Sequence, residues 1–189
     1  MTCSSSSVIP RRVLIPIDKS EHSERALKFY FENTMKPNDH LILFHSIELP
    51  SMPVMAMGEA GADEWARMMR DEKNKAESLK AQYEKLVEDE PVTVEFEATD
   101  QNHKVGENAC KAAKEKSANL IVIGSRGMGK VRRTVLGSVS DYILHHAHLP
   151  ILIVPPEHRP SKSRQNSITS MTSASSKTSV SSKTSTSSR

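Results

Sequence analysis

Cysteine is scarce in this chain: Cys3 and Cys110 are the two among 189 residues. Two thiols so differently placed cannot form the dense disulfide framework of a small secreted scaffold, so a reducing, cytoplasmic setting is expected. Long apolar runs are missing as well. No stretch reaches the ~18 residues of a membrane-spanning helix, and the N-terminus lacks the basic region and apolar block of a secretory signal. An excess of one charge is also absent, with 26 Lys plus Arg against 23 Asp plus Glu. The small surplus sits in Glu157–Arg189, which holds six of the cations and one acid, leaving the preceding body about two charges negative. A mildly acidic body is no platform for bulk electrostatic binding of nucleic acid. The same tail has only Ile168, Met171, Ala174 and Val180 as apolar residues. So few cannot offset ordering entropy of ~1–2 kcal/mol per residue, and residues 157–189 are expected to be disordered, as is the Ser-rich segment 1–8. One globular domain over residues 9–156 remains, with 37% hydrophobic residues in the chain to build its core.

What is present in that domain alternates between two periods. Val13 to Asp18 is a short β-branched run, Leu41–Phe44 is another inside His40–Ile47, and Val92, Val94, Phe96 and Ala98 alternate with polar residues as on an edge strand. Leu120–Gly124 and Ile151–Val154 complete five strands. Between them lie helical patterns: one capped by Ser20 with Ala26, Leu27, Tyr30, Phe31 and Met35 inward and stopped by Pro37-Asn38, then a long one from about Asp63 to Asp89. The long helix carries Trp65, Met69, Ala76, Leu79, Tyr83 and Leu86 at three- and four-residue steps, which is a core stripe. Helices over 104–116, with Cys110 as a small core residue, and over 138–146 follow. Alternating strands and helices with right-handed crossovers predict an α/β fold with a parallel doubly wound sheet.

The most informative stretch follows the fourth strand. Gly124 and Gly127 would permit φ > 0 and close backbone approach, and Gly137-Ser138 would open a helix with unpaired amides beside a hydroxyl. Arg126, Lys130, Arg132 and Arg133 add cationic arms, so the loop is suited to a polyphosphate, while a turn with solvated charges remains the plainer alternative. Gly124 through Gly129-Lys130 imitates a P-loop, but Val131 stands where Ser or Thr must hold Mg²⁺, and the next helix waits until Gly137. The P-loop is rejected.

Gly124-x-x-Gly127 followed after nine residues by Gly137-Ser138 resembles the nucleotide-binding signature of the universal stress protein family, and Val13 to Asp18 with Ser20 resembles that family's opening strand. The resemblance spans roughly Ile9 to Pro156 and is to the ATP-binding subgroup, in its eukaryotic form with a Ser-rich C-terminal tail. It implies a Rossmann-like, adenine nucleotide alpha hydrolase-like sheet of order 3-2-1-4-5 and a homodimer formed through Ile151–Val154. It also implies ATP or AMP as ligand, with or without Mg²⁺. Carried over residue by residue, it places adenine and ribose near Pro16, Ile17, Asp18 and Ser46, with Ile123 beside the ring. Gly124, Arg126 and Gly127 would follow the first phosphates, and Gly137, Ser138, Val139 and Ser140 the outer ones. Asp18 could accept from the exocyclic amine or a ribose hydroxyl, or merely cap the next helix.

Nothing in the sequence assembles a hydrolytic machine, so at most slow ATP hydrolysis is expected. His145, His146 and His148 have poor spacing for a metal and suit the negative end of a helix, and His45 suits a packed ring with a hydrogen bond. Met52, Met55 and Met57 could form a lid over an adenine or simply pack on their own domain. Arg164-Gln165-Asn166-Ser167 has the pattern of a kinase site with upstream arginine. Three readings follow: an ATP- or AMP-binding stress-response module whose nucleotide state and dimerisation alter contacts with partners, a nucleotide-independent dimeric interaction protein of the same fold, and a nucleotide-consuming enzyme that lacks a recognisable catalytic set.

Overall fold

The computed structural model describes residues 10–48, 59–100, 104–128 and 136–157. Cys3, the Met52–Met57 loop, Lys130, Arg132, Arg133 and the tail with Ser167 lie outside the described residues. The elements run β1 (Arg12–Pro16), α1 (Glu21–Asn33), β2 (His40–Ser46), α2 (Glu59–Val87), β3 (Thr93–Thr99), α3 (Val105–Glu115), β4 (Leu120–Gly124), α4 (Ser138–His146) and β5 (Ile151–Val154). All strands are parallel, in the order β3-β2-β1-β4-β5, the expected topology.

Side-chain alternation along the strands divides the core in two. Val13, Ile15, Leu41, Leu43 and Val122 pack with Ala26, Leu27 and Tyr30 of α1 and Leu79, Tyr83 and Val87 of α2. Leu14, Ile42, Phe44, Ile121 and Ile123 face Ala109, Ala112 and Ala113 of α3 and Ile143 of α4. Successive residues of a strand point to opposite faces, so near-continuous apolar runs are what a sheet covered on both sides requires. The first two helices cover one face and the last two the other. The reversal falls between β1 and β4, where open α/β sheets bind ligands.

The β1–β4 pairing is short at this point. β1 pairs with β2 from Arg12 through Pro16, but with β4 only at Val13 and Leu14. Ile17 N–H donates to Phe44 O at 2.7 Å, so strand alternation turns Pro16 toward β4. Proline has no N–H to continue that ladder. The strands part beyond Leu14, and a crevice opens at their C-terminal ends.

Several boundaries differ from the sequence reading. β1 stops at Pro16, two residues before Asp18, and α2 begins at Glu59 rather than near Asp63. Leu86 is 47% exposed while Val87 is 6% exposed, so the stripe of α2 advances by four residues from Tyr83 instead of three. The buried stripe runs only from Ala76 to Val87, about 18 Å of helix. Cys110 is half-buried, packed beside the α3 alanines, with its thiol pushed up by burial. No described glycine has positive φ; the left-handed positions are Asn38, Ser117 and His148. Gly106, Gly124 and Gly127 therefore serve close approach rather than special backbone angles.

A buried ionic knot closes the opposite end of the sheet. Asp39 is 2% exposed and accepts from Arg11 Nε at 3.0 Å and Nη2 at 2.5 Å, from the Tyr30 hydroxyl at 2.9 Å and from Lys36 N–H at 2.9 Å. Burial alone would raise this carboxyl, but the Arg11, Lys36 and Tyr30 donors outweigh it and hold it below its ordinary 3.8. Burial, followed by the Asp39 charge, pushes the Tyr30 hydroxyl up.

Candidate functional site

The crevice between β1 and β4 opens into a cavity of about 1130 Å³. Pro16, Ile17, Asp18, Ser46, Ile123, Gly124, Arg126, Gly127, Gly137, Ser138, Val139 and Ser140, the full set expected from sequence, line it together. They arrive from the ends of β1, β2 and β4, the loop after β4, and the first turn of α4. Pro16, Ile17, Phe44, Val105 and Ile123 give one part of the wall an apolar surface, while the glycine loop and α4 supply polar backbone.

Asp18 has two different oxygens. Oδ1 accepts from Ser20 N–H at 2.9 Å, from the Ser20 hydroxyl at 2.5 Å and from the Ser23 hydroxyl at 2.7 Å, which shapes the turn into α1. Ser20 is the N-cap, accepting from Ser23 N–H. Oδ2 points instead toward the glycine loop, where a Cβ placed on Gly127 would stand 3.0 Å from it. Oδ1 thus takes the capping role, while Oδ2 faces the glycine loop.

The glycines divide similarly. A Cβ on Gly124 would lie 2.6 Å from the backbone oxygen of His22, so this glycine admits α1 against the end of β4. Gly137 would meet nothing closer than 3.4 Å, and its own N–H donates to Ser125 O at 2.8 Å. The Ser140 hydroxyl donates to Ser125 O or Gly137 O, at 3.2 and 3.0 Å, folding the loop onto the helix start. The N-cap of α4 is Gly137, which has no side chain to cap it. The amides of Ser138, Val139 and Ser140, in its first turn, have no acceptor within the helix. Arg126 Nε is buried without a hydrogen-bond partner among the described residues. A buried unpartnered guanidinium N–H beside an uncapped helix start fits an anionic ligand.

Several lining residues carry no motif in the sequence. Lys19, Glu48 and Asp141 flank the expected positions, and Glu72 and Lys75 come from α2, paired with each other at 2.6 Å. The described wall has Lys19, Lys75 and Arg126 against Asp18, Glu48, Glu72 and Asp141, so it does not by itself neutralise a triphosphate. His45 lines the cavity and its Nδ1 is 3.0 Å from Ile17 O, the hydrogen-bonded ring expected. Ser46 accepts from Asn108 Nδ2 at 2.9 Å. The His145 and His146 Nδ1 atoms lie 2.8 Å from the Asp141 and Tyr142 carbonyls of their own helix. Position at a strand's C-terminal end could have flagged His45 and Glu48; Glu72 and Lys75 had no such signal.

The model of the universal stress protein family matches residues 10–155. A universal stress protein of Synechocystis is 40% identical over 50 residues, covering 26% of this chain and 46% of that protein. Another, of Methanocaldococcus jannaschii, is 29% identical over 165 residues, covering 78% and 96%. The chain thus spans about half the length of some curated relatives, 47% for one of Mycolicibacterium smegmatis, and nearly all of others. Among solved structures, the universal stress protein UspA of Lactobacillus plantarum superposes with TM-score 0.61 at 18% identity, covering 76% of this chain and 97% of that one. A universal stress family protein of Arabidopsis thaliana with AMP bound gives TM-score 0.58 at 18% identity, covering 82% and 97%. No helix among the described residues is long and apolar enough to cross a membrane. With the match running from two residues before β1 to one residue beyond β5, the chain belongs to the universal stress protein family.

Proposed function

We propose that this chain is an adenine-nucleotide-binding regulatory module, with the nucleotide in the β1–β4 crevice. The convergence of Asp18, Arg126 and the start of α4 on one cavity carries this reading. The apolar surface at Ile17, Val105 and Ile123 suits a purine ring. The α4 amides and Arg126 suit phosphate. AMP in the Arabidopsis relative adds support by analogy of fold. ATP is favoured over AMP because Lys130, Arg132 and Arg133 follow the loop in sequence and would supply the positive charge that the described wall lacks. Among the described residues no three His, Cys, Asp or Glu side chains converge as a metal site, so a magnesium ion would arrive on the phosphates. Hydrolysis is at most slow, since the sequence assembles no recognisable catalytic set for phosphoryl transfer. The module would act in a cytoplasmic stress response, its bound state altering contacts with protein partners.

Small molecules released by denaturing the purified protein, identified by mass spectrometry, test the ligand. An adenine nucleotide is expected in stoichiometric or partial amount; a different class of compound would contradict the reading.

The proposal includes a homodimer. β5 is an edge strand of four apolar residues, paired with β4 on one side. An apolar open edge invites strand pairing with another chain. Light scattering of the full chain should give twice its 21.0 kDa mass, and Ile153→Pro should give the monomer. A monomeric unmodified chain would contradict this part alone.

A further inference from the structure

We infer that Ser23 and Tyr83 are positioning residues for ligand recognition, acting by fixing which oxygen of Asp18 faces the cavity. The inference rests on nucleotide binding at this site and adds to it a determinant outside the glycine signature, on α1 and α2.

Ser23 Oγ has one hydrogen and four acceptors in reach: Asp18 Oδ1 at 2.7 Å, the Tyr83 hydroxyl oxygen at 2.8 Å, Asp18 O at 2.9 Å and Ser20 O at 3.0 Å. Tyr83, 0% exposed, brings its hydroxyl from α2 to 2.8 Å from Ser23 Oγ and donates to Asp18 O at 3.1 Å. Burial pushes the Tyr83 hydroxyl up, so it stays a donor at neutral pH. Whether the Tyr83 proton goes to Asp18 O or to Ser23 Oγ itself, the Ser23 proton is left for the carboxylate, where a charge-assisted bond is strongest. Oδ1 then holds three donors, and the carboxylate is pinned with Oδ2 toward Gly127. An ionised oxygen so presented accepts only, and selects a ligand donor such as a hydroxyl or an amine. Without the Tyr83 hydroxyl the Ser23 proton divides between the carbonyl and the carboxylate, and the pin loosens. Tyr83 lies on the part of α2 that packs in the core, eight residues beyond Lys75 in the cavity wall, so the same contact ties that helix to the site.

A double-mutant cycle on the full chain, read by calorimetric titration with ATP and Mg²⁺, tests this. Tyr83→Phe and Ser23→Ala should each weaken binding by about 3- to 10-fold, and the loss should vanish when either is combined with Asp18→Ala. Thermal melts confirm that each variant is folded at the titration temperature. Tyr83→Phe keeps the ring in the core, so it carries the test if Ser23→Ala disturbs the α1 cap. Unchanged affinity in both single variants, or a loss equally large in the Asp18→Ala background, would overturn the inference while leaving nucleotide binding intact. Absence of binding by the unmodified chain would instead overturn both.

Discussion

Gly127→Val should weaken adenine-nucleotide binding by at least about 30-fold, roughly 2 kcal/mol, with little change in melting temperature. Its Cβ would stand 3.0 Å from Asp18 Oδ2, and the added methyls would fill the space through which a ligand reaches that oxygen and the loop amides. Gly127 has no positive φ, so the substitution carries no backbone strain. Gly124→Ala should behave in the opposite way. Its Cβ would press on the His22 carbonyl at 2.6 Å, and a clash with backbone is relieved only by moving α1 or β4. The expected cost is about 1–3 kcal/mol of stability, visible in denaturant melts without any ligand. Two glycines three residues apart in one motif are thus separated by experiment, one by titration and the other by unfolding. Equal destabilisation by both changes would show that the loop is a packing device and not a ligand cradle.

Arg11→Ala should lower stability by about 3 kcal/mol, because it leaves the Asp39 carboxylate buried with the Tyr30 hydroxyl and the Lys36 amide but no charge partner. For a domain of this size that is roughly 6–12 °C in melting temperature. The loss should depend on pH. The folded-state value of Asp39 is depressed below its ordinary 3.8, so the knot's contribution is fully present above that value and is lost as pH falls through the lower folded value. The gap between the unmodified chain and the variant should accordingly be widest near neutrality and close below about pH 4. Melts at a series of pH values check it; a gap independent of pH would mean that Arg11 contributes only through its packing and its bond to Thr34 O.

The two results probe opposite ends of the sheet, and the ends differ in how far the sequence reveals them. The five strands, the bounds of α4 and the Ser20 cap follow from apolar runs and turn residues, each written in contiguous residues, whereas strand order follows from the family resemblance alone. The knot around Asp39 is not. In Pro37-Asn38-Asp39-His40 an aspartate reads as turn chemistry, and its partner Arg11 lies 28 residues away with nothing periodic joining them. The α2 stripe was legible as a core face, but three- and four-residue steps both fit a helix, and only packing against the sheet selects Val87 over Leu86. The glycine loop was legible as part of the cavity wall, and one of its two expected reasons holds: Gly124 and Gly127 do not adopt positive φ, but each allows close approach, one toward a helix and the other toward Asp18. Glu72 and Lys75 were invisible because a polar residue on a long amphipathic helix carries no sign of which cavity it borders.

The measurement that tests the central claim most directly is calorimetric titration of the purified full chain, stripped of bound small molecules, with ATP and Mg²⁺ and separately with AMP. Binding with a dissociation constant in the micromolar range or tighter, about −8 kcal/mol, at one site per chain is the result expected. Loss of that heat in Gly127→Val would tie it to the β1–β4 crevice. No heat from either nucleotide at about millimolar concentration, where even −4 kcal/mol of affinity would register, would contradict the account and leave the fold as a nucleotide-independent interaction module.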